Sequence, residues 1–359
     1  MVITINVKDY GFMPTYKKEN TQYARVLAVH KESYVIMTSF GECSAKLKSS
    51  VYYNNSTEEF PTTGDFVEIQ YESQGVSLIL HTLPRKSKFA RNDFSGHAKN
   101  FTKTIIEQVV AANFDYVFIM QSLNHDLNPR RLERYLAQSW QSGAIPVVVL
   151  TKADLVDNYA SYVAEVEKIA IGVGVFAISA KTGLGIQSLS EYLKNGKTIV
   201  LLGSSGVGKS SFVNALAGKE IMTVNGIRED DSKGRHTTTH RQLIRLESGV
   251  MIIDTPGMRE LGMWDVSEGL SESFTDVESY FGQCKFSDCK HQTEPGCAVK
   301  SAIERGELSA ERWESYQSLK EENDFVENKS AYLREKNTRN IAIKMSQRQI
   351  KKGKKRGLL

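Results

Sequence analysis

Short stretches in which apolar and polar residues alternate fill the chain between residues 20 and 83. Turn-forming residues, among them Gly41, the stretch 54–56 and Gly64, separate these stretches. The alternation predicts about five short strands, which indicate a small β-barrel of the OB or the SH3 type; periodicity does not choose between the two. The predicted strands are Ala24–Val29, Tyr34–Thr38, Cys43–Leu47, Phe66–Tyr71 and Val76–Leu80.

A different pattern, in which fully apolar stretches alternate with helical periodicity, begins at about residue 101. Pro129 suits the first turn of a helix, and Leu132, Leu136 and Trp140 follow it at helical spacing. Such alternation predicts a parallel sheet covered by helices, and beyond about residue 263 only helices are predicted. The predicted strands are Tyr116–Met120, Ile145–Leu150, Val175–Ser179, Thr198–Leu202, Gln242–Glu247 and Val250–Ile253, and the predicted helices lie near Tyr159–Ile171, Ile186–Leu193, Ser210–Ala217, Ser271–Phe281 and Ser309–Asn323.

These changes of pattern divide the chain into five segments, and the predicted fold class is multidomain. We predict an N-terminal OB-like β-barrel at 1–84, a basic linker at 85–100 and a central α/β domain at 101–263. A helical domain at 264–333 and a basic C-terminal tail at 334–359 follow.

The composition is that of a globular protein, with 40% hydrophobic and 25% charged residues, which excludes collagen-like and disordered classes. The net charge of +4 hides an asymmetry. Residues 334–359 contain ten basic residues and one acid, so the tail carries +9 and the remaining 36 basic and 41 acidic residues give −5. A mildly acidic body with a basic tail indicates a polyanionic partner.

No apolar stretch is long enough to span a bilayer and no export signal is visible at the N-terminus, so we expect a cytoplasmic protein. Three of the four cysteines lie within one short window. In a chain without an export signal this clustering favours a metal over disulfides. Cys43 stands apart, and we expect it to be a small hydrophobe of the barrel.

The sharpest motif is Gly-Ser-Ser-Gly-Val-Gly-Lys-Ser at residues 203–210, directly after a predicted strand. It has the phosphate-loop pattern, in which glycines let the backbone N–H groups face the α- and β-phosphates. Lys209 would reach the β- and γ-phosphates, and the Ser210 hydroxyl would ligate Mg²⁺. The residues expected to contact the nucleotide here are Gly203, Ser204, Ser205, Gly206, Val207, Gly208, Lys209, Ser210 and Ser211.

Three further motifs indicate which nucleotide binds. Asp254 and Gly257 form a D-x-x-G motif, whose Asp holds Mg²⁺ and whose Gly N–H meets the γ-phosphate. Thr151, Lys152, Ala153 and Asp154 resemble the N-K-x-D motif that reads guanine, with Thr151 in place of Asn, and Ser179, Ala180 and Lys181 resemble the S-A-K loop that meets guanine O6. Adenine presents a donor at the matching edge, so this set predicts GTP rather than ATP.

The order of the motifs is unusual. In an ordinary GTPase the phosphate loop comes first, whereas here the guanine motifs at 151 and 179 precede the loop at 203 and the D-x-x-G motif at 254. The domain is therefore predicted to be circularly permuted, which a fold tolerates when its original termini lie close together.

With its motifs in this order, the chain resembles the circularly permuted small-ribosomal-subunit biogenesis GTPases, the RsgA or YjeQ family. The resemblance covers nearly the whole chain, and the segments 83–87, 111–115 and 132–135 also carry it. It implies a GTP hydrolase, slow alone, that binds the small (30S) ribosomal subunit, hydrolyses GTP on contact with rRNA and assists late 30S maturation.

The hydrolytic step depends on the segment Arg235–Thr239, where the first switch should lie. We expect Thr238 to close over Mg²⁺ and the γ-phosphate, with its neighbouring threonines as alternatives. Met258 follows Gly257 where many GTPases have the glutamine that orients water, so unstimulated hydrolysis should be slow. The resemblance implies that His236 positions the water; the alternative is a surface or core histidine.

Cys284, Cys289, His291 and Cys297 offer three thiolates and one imidazole within fourteen residues. Soft sulfur with nitrogen in a set of four is typical of a structural zinc site, and the resemblance implies the same ligands. The alternative is buried free cysteines. The expected cofactors are thus GTP or GDP with Mg²⁺, and one Zn²⁺.

The expected partners are the 30S subunit and its rRNA, with no membrane, and we expect a monomer. The tail is either an RNA-contacting arm or a solvated end, and Tyr34, Tyr52 and Tyr71 of the barrel either contact RNA or pack in its core. Two other functions are weighed against the main one. The first is an RNA-binding assembly factor in which GTP is structural, and the second is a nucleotide kinase, which needs no guanine-reading motifs.

Overall fold

The computed structural model describes residues 7–12, 21–31, 33–52, 59–93, 106–124, 126–222, 241–254 and 266–324. Its strands are β1 (Gln22–Val29), β2 (Tyr34–Thr38), β3 (Gly41–Leu47), β4 (Phe66–Gln70), β5 (Ser77–Thr82), β6 (Lys88–Asp93), β7 (Ile106–Ala112), β8 (Tyr116–Ser122), β9 (Ile145–Thr151), β10 (Gly174–Ala177), β11 (Thr198–Leu202), β12 (Gln242–Arg245) and β13 (Met251–Asp254). Its helices are α1 (Ser49–Tyr52), α2 (Pro129–Gln141), α3 (Tyr159–Glu167), α4 (Lys209–Ala217), α5 (Ser267–Ser273), α6 (Thr275–Glu278), α7 (Ala298–Glu304) and α8 (310–324).

The first five strands close into the predicted barrel. β1, β2 and β3 form an antiparallel meander, β3 runs parallel to β5, and β4 pairs with both β5 and β1 to complete the ring. This connectivity, with α1 between β3 and β4, is that of an OB barrel. The barrel is therefore of the OB type and not of the SH3 type. Tyr34 and Tyr52 are buried in its core, whereas Tyr71 stacks on the exposed ring of Phe40 at 4.6 Å between centroids.

Cys43 packs partly buried against the same barrel core, as expected, with its Sγ 3.7 Å from the hydroxyl of Ser77. Burial raises the pKa of the Cys43 thiol. The barrel therefore keeps this thiol in its neutral, packing form.

The central sheet has the order β10-β9-β8-β11-β13-β12, and its first five strands are parallel. β12 runs antiparallel to β13, because a short turn joins the two strands directly. The strand interiors are fully buried, as in β11, and Phe212 of α4 packs on Phe118 of β8 at 6.0 Å between ring centroids. The predicted parallel α/β domain is confirmed.

The sheet does not end at β12. Gln242 of β12 pairs with Ala28 of β1, so the barrel strands continue the central sheet into one sheet of eleven strands. The barrel and the α/β domain belong to one compact unit, and the described residues 90–93, 106–108, 266–267 and 276–324 belong to a second one. Within the segment predicted as a linker, Arg85 makes a bidentate ion pair with Asp65 of the barrel, at 2.9 and 2.8 Å.

Arg25 of β1 is the largest fully buried polar side chain in this unit. Its guanidinium donates to the carbonyl oxygens of Gly64, Tyr10 and Asn113 at 3.2, 2.5 and 2.8 Å, and its Cζ lies 4.8 Å from the ring centroid of Phe66. Burial lowers the pKa of Arg25 to about 10, which still leaves it charged at neutral pH. One buried cation therefore ties three separate backbone segments together.

Arg25→Met should destabilise this unit by about 3 kcal/mol, because three buried or partly buried carbonyl groups lose their hydrogen bond to the guanidinium. The shape of the side chain is largely retained, so the cost measures the polar contacts rather than a cavity. Thermal and urea unfolding check it, with Lys46→Met, at an exposed position of β3, as the control. A change for Arg25→Met as small as that of the control would show that the contacts contribute nothing.

The second unit contains α7 and α8 and the cysteine cluster. Asp276 forms a bidentate pair with Arg312 of α8 at 3.0 Å for both bonds, and Glu278 accepts from the Tyr316 hydroxyl at 2.9 Å. Burial, and then the Glu278 carboxylate, raise the pKa of Tyr316. The phenol is thus held as a neutral donor.

Two helix predictions differ from the structure. The predicted helix Ser271–Phe281 is two short helices, α5 and α6, that meet at the fully buried Phe274. The predicted helix Ile186–Leu193 is only a 3-10 turn, Ile186–Leu189. Among the described residues no helix combines the length and the apolar character that a membrane crossing needs.

Candidate nucleotide-binding site

The carboxyl ends of the five parallel strands meet at one edge of the sheet, and each candidate motif follows one of them. Thr151 ends β9, Asp254 ends β13, and the phosphate loop begins directly after β11. Residues 179–181 lie two residues beyond β10. Because ligands of such sheets bind beyond the carboxyl ends of the strands, the fold brings the motifs to one place in spite of their permuted order.

The phosphate loop has a backbone that its glycines make possible. Gly203 has a φ of +151°, and a Cβ there would lie 2.5 Å from the carbonyl oxygen of Met120. Gly208, with a φ of +105°, caps the start of α4. The Lys209 ammonium donates to the carbonyl oxygens of Gly203 and Ser204, both at 2.7 Å, so it spans the loop it belongs to.

Thr151 joins the guanine-reading motif to the phosphate loop. Its hydroxyl donates to the carbonyl oxygen of Val207 at 2.6 Å and lies 3.4 Å from that of Gln121, and the residue is buried. The hydroxyl is thus committed to the scaffold. That Thr151 also contacts guanine stays a prediction.

Thr151→Val should weaken GTP binding about 10-fold, because the buried Val207 carbonyl loses its donor while the shape of the side chain is kept. Thr182→Val, at an exposed position of the neighbouring loop, is the control. Equilibrium titration with fluorescent GTP measures the effect. If Thr151→Val bound GTP as tightly as the unmodified protein, Thr151 would have no part in nucleotide binding.

The remaining residues predicted to read guanine lie on two short turns that are hydrogen-bonded to each other. Lys152 has a φ of +60°, and the following 3-10 turn Ala153–Leu155 leaves the Asp154 side chain exposed. The Ala153 N–H donates to the carbonyl oxygen of Ile178 at 3.0 Å, and the buried Ser179 Oγ accepts from the Thr182 N–H at 3.2 Å. Ala180 is half-buried and Lys181 is exposed. The Asp154 carboxylate is thus accessible beside a hydrogen-bonded loop, and its contact with guanine stays a prediction.

Asp254 and Ser210 are the described candidates for Mg²⁺. Burial raises the pKa of Asp254, and the Lys209 ammonium opposes this rise. A carboxylate and a hydroxyl are oxygen ligands of the kind that Mg²⁺ prefers. The other predicted residues here, His236, Thr238 and Gly257, lie outside the described residues.

Asp126 is a site residue that no motif predicted. It follows β8, the strand between β9 and β11, and its Oδ2 accepts from the Ser204 hydroxyl of the phosphate loop at 2.5 Å. A polar residue after the end of a parallel strand was the available signal. A lone aspartate in a loop is too common to be noticed without the neighbouring motif.

The four predicted metal ligands in the second unit converge. Their ligand atoms lie within 4.8 Å of one another, and the Nδ1 of His291 is 3.5, 3.7 and 3.4 Å from the sulfurs of Cys284, Cys289 and Cys297. A tetrahedron with Zn–S and Zn–N bonds of about 2.3 and 2.05 Å has S–N edges of about 3.6 Å. The residues therefore fit a Zn²⁺ ion with no ligand position left open.

The chain is similar to several known proteins. A family model described as "RsgA GTPase" matches residues 82–264, and one described as "ABC transporter" matches residues 186–355, the part with the phosphate loop that many nucleotide-binding proteins share. A Listeria innocua protein named "Small ribosomal subunit biogenesis GTPase RsgA 1" is 46% identical over 88% of this chain and 89% of its own length. The Listeria monocytogenes protein of that name is 43% identical over 95% and 97% of the two chains, and the Syntrophotalea carbinolica RsgA is 38% identical over 98% of each.

Two solved structures are similar in fold. YjeQ from Thermotoga maritima superposes with a TM-score of 0.63 at 29% identity, over 84% of this chain and 98% of its own. YloQ, described as a circularly permuted GTPase, has a TM-score of 0.58 at 21% identity, over 88% and 99% of the two chains. These neighbours share the permuted fold.

Proposed function

The chain belongs to the RsgA GTPase family, so it is a GTP hydrolase, and we propose that it acts on the small ribosomal subunit during that subunit's biogenesis. The observation that supports this proposal is the hydrogen bond between Thr151 and Val207, which joins the predicted guanine-reading motif to the phosphate loop at one sheet edge. The names of the relatives support the partner.

The proposed site has a division of labour among its residues. Residues 203–211 hold the phosphates, with Lys209 on the β- and γ-phosphates, and residues 151–154 and 179–181 hold the guanine, with Asp154 accepting from its N1–H and amino group. Mg²⁺, when bound, would neutralise phosphate charge, and Ser210, Thr238 and Asp254 are the residues that would hold it. Gly257 would donate its N–H to the γ-phosphate.

Hydrolysis is proposed to depend on the partner. Met258 cannot orient a water molecule, and His236, on the segment between the phosphate loop and β12, is the proposed substitute. We infer that contact with rRNA completes the hydrolytic site, so that hydrolysis is slow until the subunit is bound. If the His236→Ala variant hydrolysed GTP at the normal rate when bound to the subunit, this role of His236 would be contradicted.

The proposed RNA contacts combine the OB barrel, the zinc-bound unit and the basic tail, on a monomeric cytoplasmic protein. Residues 255–266 connect β13 to α5, so the segment after the D-x-x-G motif leads along the chain toward the zinc ligands. We infer that loss of the γ-phosphate alters this connection. Hydrogen exchange of residues 266–324 should differ between the protein bound to a GTP analogue and the protein bound to GDP. Identical exchange in the two states would contradict an effect of the γ-phosphate on this connection.

Co-sedimentation with purified 30S and 50S subunits tests the partner. We expect the protein to pellet with 30S subunits in the presence of a non-hydrolysable GTP analogue, to bind them at least about 10-fold more weakly with GDP, and not to pellet with 50S subunits. Equal binding to both subunits would contradict the proposed function. If GTP were structural in an RNA-binding assembly factor, both nucleotides would support binding equally and turnover would be absent.

A further inference from the structure

Hydrogen bonds hold residues 121–124 and 126–128, between the end of β8 and the start of α2, to one another and to β9. The fully buried Gln121 accepts from the N–H of Asn128 at 3.1 Å and donates to its carbonyl oxygen at 3.3 Å, and the Asn128 side chain caps α2 by accepting from the Arg131 N–H at 3.0 Å. The Leu123 N–H donates to the carbonyl oxygen of Thr151 at 3.0 Å. Asp126 therefore lies in a segment whose flanking residues are held by hydrogen bonds.

Asp126 connects two groups through its two carboxylate oxygens. Oδ2 accepts from Ser204 at 2.5 Å, and Oδ1 accepts from the Nη2 of Arg131 at 2.8 Å, which also donates to the Asp126 carbonyl oxygen. The two side chains are 22% and 30% exposed, so water screens this pair only partly. A chain of charge-assisted hydrogen bonds thus leads from α2 to the phosphate loop.

Arg131 occupies a position that is unfavourable for the helix itself. It lies in the first turn of α2, where the positive end of the helix dipole disfavours a cation. Its Nε is buried and has no hydrogen-bond partner among the described residues, which is a further cost. The contact with Asp126 is the gain that offsets these costs.

The place of the carboxylate explains why a cation is needed. An unpaired Asp126 beside Ser204 would repel the phosphates of a nucleotide held by the same loop. Arg131 removes that repulsion while the carboxylate keeps its hold on the Ser204 hydroxyl. Ser204 is fixed at both ends, since its carbonyl oxygen accepts from Lys209.

Resting on the proposed GTP site, we propose that Asp126 and Arg131 are positioning residues for nucleotide binding: Asp126 fixes Ser204 so that the phosphate loop is preformed, and Arg131 neutralises the Asp126 carboxylate beside the phosphates. If the loop is preformed in only a fraction of the molecules, the apparent dissociation constant rises by the inverse of that fraction. The affinities for GTP and for GDP should both depend on Asp126 and Arg131, because the preformed loop holds the phosphates that the two nucleotides share.

Equilibrium titration with fluorescent GTP and GDP, without ribosomal subunits, tests the first half of the proposal. Asp126→Ala and Ser204→Ala should each weaken both nucleotides about 10-fold, and the double variant should be no weaker than either single one, since both remove one contact. At the same time KM for GTP should rise about 10-fold while kcat changes less than about 3-fold. Additive losses in the double variant would overturn the role of Asp126 through Ser204.

The charge of the pair is tested by rescue. Arg131→Met should weaken binding about 10-fold by exposing the phosphates to a bare carboxylate, and Asp126→Asn in the same chain should restore it to within about 3-fold, because the amide oxygen still accepts from Ser204. Arg130→Met, at the exposed neighbouring position, is the matched control. Failure of the rescue would overturn the neutralising role. Loss of 30S stimulation would count against the proposed function alone, since these affinities need no subunit.

Discussion

Lys209→Ala is expected to lower GTP turnover at least about 100-fold, the largest effect of any substitution in the α/β unit. Lys209 is the first residue of α4. Its ammonium group already spans the phosphate loop, because it donates to the carbonyl oxygens of Gly203 and Ser204. With a nucleotide bound, the same cation would face the charge that develops on the transferred phosphoryl group, and alanine supplies neither that charge nor the closure of the loop. Single-turnover and multiple-turnover hydrolysis measure the loss.

Lys219→Ala is the matched control for this experiment. Lys219 follows the other end of α4, where its side chain is 59% exposed and pairs with the exposed Glu247 at 2.6 Å. Such a surface pair contributes little, so turnover should stay within about 2-fold of the unmodified protein. Retained turnover in Lys209→Ala would place the chemistry elsewhere in the molecule.

Cys297→Ser is expected to abolish stoichiometric zinc binding and to unfold the turn that holds the ligands. Cys297 is 2% exposed and directly precedes α7, so its sulfur links the metal site to a helix. Apparent binding energies of structural zinc sites are on the order of 10 kcal/mol, more than the short turns between Cys284 and α7 can supply by packing. Zinc content should fall from about one ion to about 0.1 per chain, and hydrogen exchange should become fast over residues 284–304.

Cys43→Ser provides the control for the zinc experiment, because Cys43 packs against the barrel core and is not part of the metal-ligand group found among the described residues. It should leave the zinc content unchanged. A chelator should reproduce the hydrogen-exchange result of Cys297→Ser in the unmodified chain. A full zinc equivalent in Cys297→Ser, or protection of residues 284–304 after metal removal, would contradict a structural Zn²⁺ at these four ligands.

The parts of the fold that were predictable are those in which a strand is buried along its whole length or alternates strictly. Thr198–Leu202 and Tyr34–Thr38 have exactly their predicted bounds, since an apolar strand ends where its polar flanks begin. The 3-10 turn Ile186–Leu189 was predicted as a longer helix because its apolar spacing is helical. Gly185 precedes it with a φ of +72°, and a Cβ there would lie 2.1 Å from the carbonyl oxygen of Ala177.

The joining of the two sheets could not be predicted, because it depends on contacts that are distant in the sequence. Ala28 and Gln242, which pair between β1 and β12, are more than 200 positions apart and carry no local signal. The burial of Arg25 could not be predicted for the same reason. A lone arginine in an alternating strand predicts a solvent-facing position. It is buried because the carbonyl groups of three distant segments converge on it.

The site shows the same division between local and distant information. Motifs such as residues 203–210 were predictable because each one has to provide a specific backbone shape or contact within a few residues. The commitment of Thr151 to the Val207 carbonyl and the hold of Asp126 on Ser204 depend on neighbouring strand ends, which only the sheet order brings together. Permutation moved the motifs along the chain and left this edge intact.

Steady-state hydrolysis of GTP and of ATP, each with and without purified 30S subunits, tests the central claim most directly. We predict that GTP turnover is slow alone, rises about 10-fold or more with 30S but not with 50S subunits, and is lost in Lys209→Ala, while ATP turnover stays at background. A GTP rate that 30S subunits leave unchanged, or ATP hydrolysed as fast as GTP, would contradict a guanine-specific GTPase that the small ribosomal subunit activates.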